Sequence, residues 1–264
     1  KNSFVKFLNK TPLIGKSFVC IDDQELKKIL PRVKNKNYLT YGFSEKCNFQ
    51  ILNPLYKKDH SIFDLRILVT GSKKKNIKKI KLNLIGKHNV INSVAAIALC
   101  LHIGVKINII KKSLKKFTGI QRRLTKVFSV EGREFFDDYA HHPTEIKSVL
   151  KSLKSTSVKR KVIAVFQPHR YSRLKSLKKD FASAFNNSDL VILCPVYPAG
   201  EKTDKNYNSL NFAKLISRNS HVQVVIIENQ NDLRKFFVKN LIDNEIVVCM
   251  GAGSISKWLR EMDL

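Results

Sequence analysis

The sequence predicts an α/β protein whose C-terminal half is built on a mainly parallel, doubly wound sheet. Three observations carry that expectation. From about residue 126 onward, strand-like apolar runs alternate with helix-length segments. Most of those runs are apolar throughout, the mark of strands covered on both faces. The chain has 264 residues, 43% hydrophobic and 27% charged, which is enough apolar surface for one large or two ordinary domains and too much for disorder.

Taken in order, residues 22–30 have helical spacing, with Asp22 or Asp23 placed to cap the start and Pro31 to stop the end. Extended runs follow at 38–42, 47–52 and 64–70. Gly71 and Ser72 open a basic turn, and 80–84 reads as another strand. A helix over 90–103 presents Val90, Val94, Ile97, Ala98 and Leu101 on one broad face, with Gly104 suited to its C-terminal cap. A second helix, 108–116, carries Lys111, Lys112, Lys115 and Lys116 on its charged face. The character then changes, which divides the chain into 1–117 and 118–264. The later strands are expected at 126–130, 134–139, 162–167, 190–195, 222–228 and 245–250. The later helices are expected at 143–153, 172–185, 210–218, 231–239 and 255–262, with Pro143 in a first turn. In such sheets ligands bind outside the carboxyl ends of the strands.

Lys plus Arg number 49 against 21 Asp plus Glu, a net charge of +28. An excess of that size raises nucleic acid or an anionic surface as a partner. Lys outnumbers Arg more than threefold, however, and the basic residues run the whole length, densest at 73–81, 111–116 and 159–161. Dispersed lysine favours compositional drift over a dedicated nucleic-acid surface. No apolar run approaches the ~20 residues of a membrane span, and no signal segment is evident, so no membrane partner is expected and the expected location is the cytoplasm. The chain starts at Lys1 rather than Met, which points to a fragment or a processed chain. Its five cysteines are widely spaced without a CxxC, against both a disulfide framework and a zinc site. Cys194 and Cys249 read as small buried hydrophobes.

The motifs lie just after the strands. DDYAHHPTE at 137–145 puts two carboxylates, Tyr139 and two histidines at one strand end. As mere packing, Asp138 and Thr144 would cap the next helix; such a polar cluster is costly, however, unless something binds there. FQPHRYSR at 166–173 sets His169, Arg170 and Arg173 at another strand end, where arginine forks suit a carboxylate or phosphate. Both clusters are expected on one edge, together able to hold a small amphoteric molecule such as an amino acid. GIQRR at 119–123 places Arg122 and Arg123 at the domain entrance, a basic linker or a polyphosphate contact. GKHNVIN at 86–92 places His88, Asn89 and Asn92 at a helix start; Asn89 is either the N-cap or, with its neighbours, a reader of a purine or ribose. Two other patterns are rejected. GKS at 15–17 lacks the glycine a phosphate loop needs at position 10, which is Lys10. GAG at 251–253 has Ser256 rather than Gly or Ala at the third position and is followed by no βαβ unit, so it reads as a tight turn permitting close packing.

Together GKHNVIN, GIQRR, DDYAHHPTE, FQPHRYSR, VYPAGE at 196–201 and GAGSI at 251–255 resemble the motifs of the Mur ligases, specifically those that add L-alanine to UDP-N-acetylmuramate. PLIGKSFVCIDD and LTYGFSE resemble the latter half of that family's central domain. The resemblance implies that 1–117 is part of the central ATPase domain and 118–264 the C-terminal Rossmann-like domain. It also implies that the UDP-sugar domain, the phosphate-binding loop and the Mg²⁺ ligands lie in a missing N-terminal half. His88, Asn89 and Asn92 would then lie near the ATP nucleoside, Arg122 or Arg123 would face the ATP phosphates, and Asp138 would contact the nucleotide. Tyr139, His141, Arg170 and Arg173 would hold alanine, and His141 could accept the amine proton. The implied reaction is ATP-dependent amide formation through an acyl phosphate, in cytoplasmic peptidoglycan precursor synthesis, by a chain not competent alone. Set against it are a basic nucleic-acid-binding protein on an inherited fold and an inert remnant.

Overall fold

The computed structural model describes residues 1–57, 59–69, 74–156 and 159–264. They form two compact units, Lys1–Thr118 and Gly119–Leu264.

The first unit contains α1 (Asn2–Asn9), β1 (Ser17–Cys20), α2 (Gln24–Ile29), a 3₁₀ turn (Leu30–Arg32), β2 (Tyr38–Gly42), β3 (Phe49–Tyr56), β4 (Ser61–Ile67), β5 (Lys75–Leu82), α3 (Lys87–His102) and α4 (Ile107–Lys116). Its sheet runs β1-β2-β3-β4-β5. The β1–β2 and β2–β3 pairs are parallel; β3–β4 and β4–β5 are antiparallel. Val90, Val94, Ile97 and Ala98 of α3 recur at helical spacing and bury against Phe49, Ile51, Phe63 and Leu65 of the strands. Asp23 is the N-cap of α2, its carboxylate accepting from Glu25 N and Leu26 N. Asp22 accepts instead from Phe43 N at 2.8 Å, fastening the end of β1 to the end of β2. The turn expected at Gly71 and Ser72, the end of the 64–70 run and the start of the basic run at 73 lie outside the described residues.

The second unit contains β6 (Thr125–Val130), β7 (Arg133–Asp138), α5 (Pro143–Thr156), β8 (Val162–Phe166), α6 (Tyr171–Ser176), α7 (Lys178–Ala182), β9 (Leu190–Leu193), α8 (Ser209–Ser220), β10 (Gln223–Ile226), α9 (Gln230–Asn240), β11 (Ile246–Met250) and α10 (Ile255–Arg260). Its sheet order is β10-β9-β8-β11-β7-β6, parallel throughout except for the antiparallel β6–β7 pair. Every residue of β8 and β11 is buried, as continuous apolar runs demand. The single helix expected over 172–185 is two: Leu177, at φ −118°, leaves helical geometry between α6 and α7. Leu174 and Phe181 are buried on either side of that break.

Register places the site. Met250 pairs with Asp138 on one side and Phe166 on the other, and Phe166 pairs with Leu193. Four carboxyl ends are therefore level, and the segments that follow them leave from one edge. The chain moves outward from β8 to β9 and β10 and then returns to β11 on the other side. That reversal is where open α/β sheets form a crevice.

Candidate functional site

Asp137 and Asp138 end β7, and successive strand residues face opposite ways. Asp137 is fully buried; its Oδ2 accepts from Ser256 Oγ at 2.6 Å and Arg260 Nη2 at 3.0 Å, locking β7 to α10. Asp138 is 2% exposed, with Oδ2 accepting from Leu124 N and Oδ1 from Ala140 N, each at 2.7 Å. Burial pushes its carboxyl up to about 6, against the pull of those two N–H groups and of Arg123.

The two arginines before β6 are not equivalent. Arg122 adopts φ 59° and turns inward. Its Nη2 donates to Gly251 O at 2.7 Å, and its guanidinium lies 4.7 Å from the Tyr139 ring centre. Arg123 offers a half-exposed guanidinium 5.6 Å from the same ring and 3.9 Å from Glu145. Of the two, Arg123 is the more exposed.

Beyond Tyr139, the His141 Nδ1 lies 2.9 Å from Tyr139 O. A carbonyl only accepts, so Nδ1 carries the hydrogen, and in the neutral ring Nε2 is left with its lone pair. Glu145 Oε2 accepts from His141 N at 3.0 Å and His142 N at 3.1 Å, while His142 Nδ1 accepts from Thr144 N at 3.3 Å. This reciprocal pair of bonds starts α5. The packing alternative for this motif therefore needs correcting: His142 and Glu145 form the cap, not Thr144, and Asp138 holds the turn before it.

Across β11, the His169 ring centre stands 5.8 Å from that of His141. Its Nδ1 accepts from Arg173 Nη1 at 3.1 Å, which leaves the hydrogen on Nε2. Burial first, then Arg173, His141 and Arg170, hold the His169 ring below its ordinary pKa. Tyr197 stacks on His169 at 5.7 Å and 13°. Arg170, at φ 72°, donates its backbone N–H to Tyr197 O at 3.0 Å and exposes its side chain. Glu201 accepts from both the backbone N–H and the hydroxyl of Ser172, tying the VYPAGE loop to α6.

Tyr139, His141, Arg122, Arg123, Asp138, Arg170 and Arg173 thus gather at one sheet edge. His88, Asn89 and Asn92 belong to the other unit, in the first turns of α3. Asn89 is not the N-cap: that position is Gly86, and Asn89 Nδ2 donates to Ile85 O at 2.8 Å. Asn92 is exposed and His88 half-buried. His169, Tyr197, Glu145 and Gln167 carry much of the geometry but have no assigned role in the sequence reading. All four stand in the motifs above, where only His169 is named as part of a cluster; the contacts of the other three single them out. The GAG turn behaves as a tight turn: a Cβ on Gly251 (φ 154°) would lie 2.7 Å from Gln167 O. A cavity of about 210 Å³ beside α6, lined by Tyr171, Leu174, Tyr207 and Phe212, includes none of the clustered groups. Among the described residues, no group of three or more His, Cys, Asp or Glu side chains could hold a metal ion.

The fold is one that solved ligases of the Mur type share. Residues 122–253 match the model of the Mur ligase glutamate ligase domain, and residues 1–100 match that of the Mur ligase middle domain; the chain belongs to the Mur ligase family. Within the family, it is 50% identical over 262 residues to the UDP-N-acetylmuramate–L-alanine ligase of Pelagibacter ubique (strain HTCC1062), covering 99% of this chain and 56% of that protein. It is 36% identical over 261 residues to the ligase of the same name from Ruegeria sp. (strain TM1040), covering 98% and 55%. The chain spans about half the length of the curated relatives it matches. Among solved structures, the UDP-N-acetylmuramate-alanine ligase of Thermotoga maritima superposes with a TM-score of 0.70 at 21% identity, covering 98% of this chain and 60% of that one. The murein peptide ligase of Psychrobacter arcticus gives 0.68 at 19%, covering 100% and 55%. These likenesses bear out the α/β fold expected from sequence.

Proposed function

We propose that this chain is the C-terminal part of a ligase that joins L-alanine to UDP-N-acetylmuramate at the expense of ATP, in cytoplasmic synthesis of peptidoglycan precursors. The observation that carries the reading is the convergence of Tyr139 and His141 with His169 and Arg173 on one sheet edge, beside Arg123 and Asp138. The named relatives support it. Arg170 and Arg173 would take the alanine carboxylate, as guanidinium forks do. Tyr139 and His141 would border the amine. Arg123 would face the ATP phosphates and Asp138 would contact the nucleotide, and His88, Asn89 and Asn92, in residues 1–117, would lie near the ATP nucleoside. Arg122 is assigned to holding the 251–254 turn rather than to ATP.

In the first step the muramyl carboxylate attacks the γ-phosphorus, the bond to ADP breaks, and an acyl phosphate forms. In the second the neutral alanine amine attacks the acyl carbon, the C–O bond to phosphate breaks, and an amine proton passes to His141 Nε2, the nitrogen that Tyr139 O leaves unprotonated. Positioning supplies much of the rate. Mg²⁺ would belong to the part of the ligase that also carries the phosphate loop; the described residues offer it no ligand cluster, and no step is assigned to it. Among the described residues no helix is long and apolar enough to cross a membrane.

The test combines this chain with the remaining N-terminal portion of the Pelagibacter relative, in trans or fused, and follows phosphate release. Release that needs both UDP-N-acetylmuramate and L-alanine, and that Arg173→Ala abolishes, is expected. No release under conditions where the whole relative turns over would refute the reading.

A further inference from the structure

The 251–254 turn stands between the two halves of the clustered edge, and Gln167 closes it from the β8 side. Gln167 is 2% exposed. Its Nε2 donates to Ser254 Oγ at 3.0 Å, and its Oε1 accepts from Ile255 N at 3.0 Å. Its backbone N–H donates to Met250 O at 2.9 Å. A Cβ on Gly253 would fall 2.5 Å from both Gln167 Oε1 and Tyr197 Cγ. Gly253 therefore packs closely against Gln167 and against Tyr197, and Tyr197 in turn stacks on His169.

We propose that Gln167 is a positioning residue of the amino-acid site: through Gly253 and Tyr197 it fixes where His169 stands opposite His141. This rests on the reading of residues 139–173 as the alanine site. Gln167 acts only through others, because its amide is committed to the turn. A buried amide bonded at both ends holds its neighbours to one arrangement, since any slip strands a buried donor or acceptor. Without it the turn loses the brace on which the Tyr197 ring rests. The groups facing His169 are His141 from the β7–α5 segment, Arg170 and Arg173 from its own segment, and Tyr197 and Glu201 from the segment after β9.

The experiment follows the histidine ring signals of the ¹⁵N-labelled 264-residue chain as pH is varied. Gln167→Ala is compared with Ser256→Ala, which removes a buried hydrogen bond on the Asp137 side of α10. In Gln167→Ala the His169 midpoint is expected to rise by about 0.5 pH unit as water reaches the ring; in Ser256→Ala it stays. Gly253→Ala, which pushes Tyr197 away from the other side, gives the same rise, and Gln167→Asn, too short to reach both partners, substitutes if Gln167→Ala does not fold. An unmoved His169 midpoint in any folded Gln167 variant, or an equal rise in Ser256→Ala, overturns the proposal. L-alanine added to the unsubstituted chain tests the underlying reading separately: no response from His141 or His169 would refute the alanine site while leaving the Gln167 effect standing.

Discussion

Asp138 gives the sharpest physical prediction. Its carboxyl titrates near 6 in the folded chain, raised by burial from an ordinary value of 3.8. Above pH ~6 the native state holds a charge in a dry setting, a cost the unfolded chain does not bear. Below pH ~4 both states are protonated and that cost is gone. The Asp138 contribution therefore makes the protein less stable as pH rises through the window from about 4 to about 6, and it is flat on either side. With ~1.4 kcal/mol for each pH unit separating the two values, the full change is ~3 kcal/mol. Carboxylates such as Glu134, held low by Lys126 and Arg160, run the opposite way, so total stability is not diagnostic. The difference between the unsubstituted chain and Asp138→Asn is, because the other groups cancel. Asparagine can accept only one of the bonds from Leu124 N and Ala140 N, a pH-independent loss of about 1–3 kcal/mol. Urea unfolding, read from the single tryptophan Trp258 in the same unit, measures both states across the window. The stability advantage of Asp138 over Asn should shrink by ~3 kcal/mol from pH ~4 to pH ~7. A flat difference would refute the burial argument. A difference that grows with pH would mean that Arg123 outweighs burial.

Three further outcomes follow from the contacts. Arg122→Ala should cost about 1–3 kcal/mol in unfolding free energy, because Gly251 O loses a charged donor and the Tyr139 ring its cover, whereas Arg123→Ala should stay within about 0.5 kcal/mol yet weaken binding of an ATP analogue several-fold. Equal effects of the two on stability would undo the division of labour between them. Asp137→Ala should cost about 2–4 kcal/mol by thermal unfolding; Arg260 is 41% exposed and can return to water, which keeps the loss below that of a fully buried pair. Arg173→Ala should weaken L-alanine binding by calorimetry at least ~10-fold and raise the His169 midpoint, since the guanidinium both offers a carboxylate fork and occupies the His169 lone pair.

Much of this architecture was legible because it rests on periodicity. β8 and β11 are unbroken apolar runs, and α3 repeats its apolar residues at helical spacing, so burial alone specifies them. α1 and β1 escaped the reading: β1 is four residues long with no alternation, and α1 presents Phe4 and Phe7 to solvent while burying only Leu8. The break at Leu177 has no proline or glycine to announce it, and buried Leu174 and Phe181 flank it. Within the site, residue chemistry identified the His and Arg clusters, and strand logic placed them on one edge. It could not separate Arg122 from Arg123, which are adjacent and identical in type; the φ of 59° at Arg122 and the carbonyl of Gly251, 129 residues away in sequence, decide that. Nor could it give Gln167 a role, because its partners come from β11 and α10.

The two imidazoles at the edge explain why a neutral amine and a carboxylate would be received in one orientation. Tyr139 O fixes the hydrogen of His141 on Nδ1, so its Nε2 can only accept while the ring is neutral. Arg173 occupies the lone pair of His169 on Nδ1, so its Nε2 can only donate. One ring thus suits an amine giving up a proton and the other a carboxylate oxygen, with the arginine that sets the second tautomer standing on the carboxylate side. Protonating His169 would bring an N–H against the Arg173 guanidinium, and the depressed pKa of His169 reflects burial first and that conflict second. Asparagine at 169 retains a donor and an acceptor but can turn over, so His169→Asn should keep part of the alanine affinity while losing discrimination between L-alanine and analogues lacking the carboxylate. Full discrimination in that variant would show that the arginines alone set the orientation.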